Sequence, residues 1–215
     1  MMNGVKFGIY HSYEFLDLVL TSKEISTPEV KTNHIDVQGA DGHIDLTYIF
    51  GEPKYKNREI TLHFTINPAV GVGKYLSTYG NTQTILHGKK MKITLDDDAE
   101  YYYWGMLSVG SYKCEKGIAT FDIICDCEPF RTEVAETVVT QYVNGTATFQ
   151  LHNARKRVVP TITADSEMLF KFEGVYYQGT EGTFTIPEIE LKTGYSVVEV
   201  TGVGNVTFRY QKGRL

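Results

Sequence analysis

The feature that most constrains this chain is a period of two. Residues 86–107, LHGKKMKITLDDDAEYYYWGML, read as two strands joined by an acidic turn. Met91, Ile93 and Leu95 alternate with Lys90, Lys92 and Thr94, so one face is apolar and the other wet. Asp96, Asp97 and Asp98 break the alternation, because short carboxylates bond to nearby backbone and tolerate turn geometry. Tyr101, Tyr102, Tyr103 and Trp104 then resume with bulky residues suited to a pleated surface. Gly105 inside that second strand predicts either a bulge or a close backbone approach.

The same period recurs along the chain. Residues 4–20 hold two short strand candidates, with Leu16, Leu18 and Leu20 alternating. Residues 24–31 are extended, but Pro28 argues against a central strand. In 33–50, Gly39, Asp41 and Gly42 mark a turn before a strand in which Leu46, Tyr48 and Phe50 alternate. Residues 59–66 give the cleanest strand: Ile60, Leu62, Phe64 and Ile66 face one way and His63 the other. Residues 67–87 are the one helical candidate. Asn67 is placed to cap, Pro68 suits the first helical position, and Val72, Tyr75, Leu76 and Tyr79 fall on one stripe. Gly80-Asn81 marks either its end or a break. Residues 111–128 read as a hairpin about Glu115–Gly117, and Pro129 closes the segment.

From residue 131 the texture changes. Short strand candidates recur at 137–143, 146–151, 158–163, 168–173, 175–178, 183–186, 196–200 and 205–210, with turn signals at Asn144-Gly145 and from Gly202 to Asn205. Such spacing predicts a β-sandwich or jelly roll. The expected fold is therefore mainly β. A β-domain with one helix near 68–87 spans 1–130, and a β-sandwich spans 131–215.

Charge and cysteine usage narrow the function classes. The formal net charge is −5. Residues 1–129 hold 12 Lys/Arg against 17 Asp/Glu, whereas 130–215 hold nine of each. A general nucleic-acid binder carries the opposite sign. No apolar run approaches the ~18 residues of a membrane span, so no membrane insertion is expected. MMNGVKFGIY lacks a basic-then-apolar leader pattern, which points to synthesis in a reducing cytoplasm. Three cysteines, Cys114, Cys125 and Cys127, do not make a disulfide framework, and they are expected to be buried core residues.

Catalytic signatures are missing. G-x-S-x-G, H-E-x-x-H and a complete phosphate loop do not occur; in Gly71–Lys74, Pro68 and Tyr75 replace the glycine and hydroxyl that loop needs. His34, Asp36, Asp41, His43 and Asp45 share strand-face spacing, but a polar loop accounts for them better than a metal site. No catalytic, cofactor-binding or metal residue is expected. His152-Asn153-Ala154-Arg155 partly resembles the sugar-contacting H-x-N-x-R pattern of galectins, with the wrong spacing. A basic surface patch around Arg155, Lys156 and Arg157 is the simpler reading of it.

Several stretches resemble the distal tail proteins of long-tailed, non-contractile bacteriophages and prophages. They are VQGADGHIDLT (37–47), YKNREITLHF (55–64), residues 86–107, CDCEPF (125–130) and VEVTGVGNVTFRYQKGRL (198–215), in the family's order and across both domains. The resemblance implies a ring-forming N-terminal β-domain with one helix and a galectin-like C-terminal β-sandwich. It implies a homo-hexameric virion hub, not an enzyme, joining the tail tube protein to baseplate, tail-associated or receptor-binding proteins. DNA would pass through its lumen without specific binding. The family uses an extended segment to clasp the neighbouring subunit, whose counterpart falls within 24–58. Tyr101, Tyr102, Tyr103 and Trp104 either supply interface surface or fill their own core. The alternative function is a lectin-like module for host cell-wall glycan.

Overall fold

Alternating apolar residues organise the first part of the chain into one antiparallel sheet. The computed structural model describes residues 4–39, 41–49 and 51–215. The chain divides into two units, Met1–Pro129 and Phe130–Leu215. Unit 1 carries β1 (Val5–Phe7), β2 (Tyr10–His11), β3 (Leu18–Ile25), β4 (His34–Asp36), β5 (His43–Asp45) and β6 (Arg58–Ile66). There follow α1 (Tyr75–Leu86), β7 (Lys90–Leu95), β8 (Tyr101–Val109), β9 (Lys113–Glu115) and β10 (Ile118–Cys127). The strand order is β2-β1-β7-β8-β10-β6-β3, with β9 paired to β10 and β4–β5 forming a separate two-stranded sheet.

Register puts every buried row on one face. Ile123 lies opposite both Leu62 and Val109, Cys125 opposite Ile60 and Leu107, and all six are buried. Gly105 sits opposite Cys127, where an added Cβ would lie 2.6 Å from Cys127 Sγ and 2.7 Å from the Asp126 carbonyl. The glycine therefore marks a close approach rather than a bulge. The acidic turn is a 3-10 turn whose side chains tie strands together. Asp96 accepts the Gly4 N–H at 2.8 Å and lies 3.1 Å from His11 Nε2, while Asp97 pairs with Lys23. Lys116 and Gly117, both with positive φ, form the two-residue turn of the β9–β10 hairpin.

The helix starts later than expected, and of the expected stripe only Tyr75 and Tyr79 meet the sheet. Asn67 accepts the Ala69 N–H at 3.1 Å, but it caps only a short 3-10 turn, Pro68–Val70. Gly71 at φ 82° interrupts, a second 3-10 turn covers Val72–Lys74, and α1 then runs unbroken through Gly80-Asn81. Tyr75, Thr82 and Leu86 face the sheet, and Tyr79 packs edge-on to Phe121 and donates to the Gly110 carbonyl at 2.9 Å. Val72 and Leu76 lie in solvent. The helical stripe is set by residues 75, 79, 82 and 86, and tertiary packing overrides the apolar positions nearer the start. The strand expected around Leu46 and Tyr48 is instead a run of turns, with Ile49 N–H bonded to the Leu46 carbonyl. Phe50 lies outside the described residues.

Unit 2 carries β11 (Arg131–Glu133), β12 (Thr137–Asn153), β13 (Thr161–Ala164), β14 (Met168–Phe172), β15 (Val175–Gly179), β16 (Gly182–Thr185), β17 (Gly194–Tyr210) and β18 (Gly213–Arg214). The turns expected at Asn144-Gly145 and from Gly202 to Asn205 are bends within two continuous 17-residue strands. β12 and β17 pair over their whole length, and Gly145 sits opposite Gly202. On the other edge of β17, β14 takes residues 198–201 and β13 takes 206–209. β15 flanks β14, and β16 flanks β13. Glycine lets both strands turn a corner together without losing partners. Gly204 has φ 142°, and a Cβ at Gly202 would lie 2.8 Å from Met168 Cγ. The two wings close on one core, in which Phe170 meets Phe184 and Phe208, and Phe149 meets Phe208. The result is a sandwich whose two layers share their longest strands.

The helix assignment is checked by urea denaturation. Leu86→Ala is expected to cost about 2–5 kcal/mol, whereas Leu76→Ser is expected to stay within about 0.5 kcal/mol of the parent.

Candidate interaction surfaces

The outward face of the unit 1 sheet sorts its charges. Glu24 pairs with Thr61, His63 with Asp122, and Glu59 with Asp126, so these acids share one region on β3, β6 and β10. His63 Nδ1 lies 2.6 Å from Asp122 Oδ1, and its Nε2 lies 3.9 Å from Glu24 Oε1. The adjacent region on β7 and β8 is cationic and aromatic. Lys92 lies over the Tyr102 ring at 4.4 Å, and Lys90 over Trp104 at 5.9 Å. Exposed ion pairs add little stability, so this pattern is a surface property. The outward aim of His63 is legible from alternation. Its two carboxylate neighbours are not, because strand pairing brings Glu24 and Asp122 from 39 and 59 residues away.

The aromatic run splits between the two faces. Tyr103 is buried, only 4% exposed, and lies beneath the Arg58 guanidinium, 5.5 Å from the ring centroid. Tyr102 and Trp104 are half-buried on the outward face, and Tyr101 is half-buried at the strand's start.

A second surface is the excursion between β3 and β6. Val30 bridges Tyr55, Lys31 and Lys56 bond to Lys54 and Glu29 backbone, and further out β4 pairs with β5. The tip is a strand pair rather than the expected polar loop, with the His34 and His43 rings stacked at 4.0 Å. Among the described residues, no group of three or more His, Cys, Asp or Glu is placed to hold a metal. Ile35, Val37, Ile44, Tyr48 and Ile49 are all between 43% and 62% exposed, and none joins the unit 1 core. A bare two-stranded ribbon with exposed aliphatics is marginal alone and gains from a partner.

Other singled-out residues have structural roles. Asn153 is fully buried; its amide donates to the Lys156 and Leu191 carbonyls and its oxygen accepts from Ala154 N–H. It is thus turned away from any sugar. His152 packs at a tilt against Tyr195 with centroids 4.9 Å apart, and Arg157 pairs with Glu190 at 2.8 Å. Gly71–Lys74 forms an exposed 3-10 turn, not a phosphate cradle. Cys125 and Cys127 are buried, but Cys114 is exposed on the short strand β9, which corrects the expectation for that thiol. Burial pushes the Cys125 thiol strongly up, with Cys127 adding to it. Burial, with Asp126 and Glu128 adding, pushes Cys127 up to about 12.

No family model and no curated protein matches this chain. Among solved structures, the chain is similar to the SPP1 Dit (gp 19.1) protein, described as a paradigm of the hub adsorption apparatus in phages that infect Gram-positive bacteria. The TM-score is 0.71 at 14% identity, and the match covers 100% of both chains. The two proteins share a fold from end to end.

Thiol accessibility follows from the cysteine placement. Titration with a coloured disulfide reagent at pH 8 should modify one thiol per folded chain, lost in Cys114→Ser, and the other two only in denaturant.

Proposed function

We propose that this chain is a structural hub protein at the distal end of a phage tail. The full-length likeness to SPP1 Dit carries the proposal, because it covers 100% of both chains and so spans both units. The ordered sequence stretches that resemble distal tail proteins support it. On this reading six copies close a ring, with the tail tube protein on one side and baseplate or receptor-binding proteins on the other. Unit 1 builds the inner ring, and the excursion at residues 26–57 clasps a neighbouring copy. A cyclic ring needs two different patches that repeat around its axis. The exposed ribbon and the cationic, aromatic region of β7 and β8 are two such patches, and Tyr102 and Trp104 belong to the second. The protein acts by assembly and has no catalytic role; it is made in the host cytoplasm and resides in the virion tail.

Light scattering with negative-stain imaging tests the ring. Each ring of six 24.3 kDa chains weighs about 146 kDa and shows a central hole. Replacing residues 33–47 with a short Gly-Ser turn should abolish the ring and leave the thermal unfolding of the chain nearly unchanged, since no core residue is removed. A ring that survives the deletion would refute the clasp.

The charge of unit 1 suggests a role for its acids. With Glu24, Glu59, Asp122 and Asp126 towards the lumen, negative charge would repel DNA phosphates and let the genome slide. Reversing these four to lysine should slow DNA ejection from assembled virions; unchanged kinetics would count against a lumenal position.

A further inference from the structure

Strand β12 has an open edge of unusual composition. Among the described residues it pairs with β17 alone, along all 17 residues. Its sequence, TVVTQYVNGTATFQLHN, contains no Lys, Arg, Asp, Glu or Pro. Edge strands are ordinarily blunted by charge, proline or brevity, because unpaired N–H and C=O groups recruit other strands. None of these protections is present. Tyr142 and Val138, on the outward side, are 59% and 46% exposed.

We propose that this edge pairs with the same edge of a second copy, antiparallel, about a twofold axis through Gly145. The bend at Gly145, φ 90°, is the restrictive feature. A strand can follow β12 around the corner only if it bends at the same point, as β17 does with Gly202 and Gly204. A second β12 running the other way does so when Gly145 meets Gly145. The axis then stands perpendicular to the local sheet, so both strands bend towards their own cores and the inward faces stay aligned.

Side chains agree with that register. An even offset keeps inward residues opposite inward residues. Val139 meets the second copy's Leu151, and Val143 meets its Ala147. Outside, Tyr142 meets Thr148 and Asn144 meets Thr146. No charged pair is formed, so nothing opposes association. Full overlap adds about one backbone hydrogen bond per residue, and it leaves neither β12 edge exposed. This contact is isologous and independent of the ring; where rings form, it joins two of them.

The test uses the full chain in a Cys114→Ser background, where the remaining thiols are buried. Asn144→Cys and Thr146→Cys proteins are prepared separately, mixed and oxidised. Directly opposed residues have Cβ atoms about 4.5–5.5 Å apart, close enough for a disulfide after small adjustment. The mixture should give a crosslinked dimer several-fold more efficiently than either protein alone. The variant Asn144→Lys/Thr146→Lys places lysines against lysines at the axis and should halve the solution mass while melting like the parent. A mixture no better crosslinked than the single variants, or a mass equal to that of the parent, overturns the proposal. Absence of six-membered rings with the 144–146 crosslink intact would instead refute the hub reading and leave this contact standing.

Discussion

The packing of β10 between β6 and β8 is the contact on which unit 1 depends. Phe121, Ile123, Cys125 and Cys127 all turn to one side and are met on that side by Phe64, Leu62, Ile60 and Leu107. Each large apolar side chain so buried contributes about 1.5–3 kcal/mol. A slip of one residue would turn this whole row outwards, so the register is strongly specified. The outward surface follows from it. Once the apolar row is committed to the core, the intervening residues must face away, and pairing gathers Glu24, His63, Glu59, Asp122 and Asp126 into one acidic region. The charged face is therefore built by the same period that builds the core.

Unit 2 rests on a different constraint, the sharing of two long strands between two layers. A sandwich made of eight separate strands would need a tight turn at each end. Here the glycines at 145, 202 and 204 let β12 and β17 pass the corner as a pair, and Met168 packs where side chains at 202 and 204 would have stood. Their ladder hydrogen bonds continue across the bend. The consequence is a long outer strand with a free edge, a feature that short strands do not have.

Much of this fold is legible in the alternation of the chain, and where alternation misleads the causes are physical. It locates β6, β7, β8 and β10 because each has one dry face and one wet face. It fails at Leu46 and Tyr48, where alternating residues have no sheet beneath them. Asn144-Gly145 carries a strong hairpin signal, but glycine at positive φ also serves a bend, and sequence does not separate the two uses. Val72 and Leu76 have the right spacing for a buried stripe, yet Gly71 breaks the segment and the sheet selects Tyr75, Tyr79, Thr82 and Leu86 instead. Cys114 shares its residue type with two core cysteines but sits on β9, a three-residue edge strand with no residue buried. The acidic cluster around His63 requires strand pairing that no local pattern encodes.

What remains uncovered is as informative as the cores. The ribbon exposes Ile35, Ile44, Tyr48 and Ile49, the helix and the turn before it expose Leu76 and Val72, and β12 exposes Val138 and Tyr142 beside an open edge. Single exposed apolar residues are ordinary, whereas apolar ribbons and unprotected edges are association sites. Neither core includes these residues, so the stability of one chain does not account for them. The exposed ribbon of unit 1 and the open edge of β12 are the features on which the proposed assembly rests.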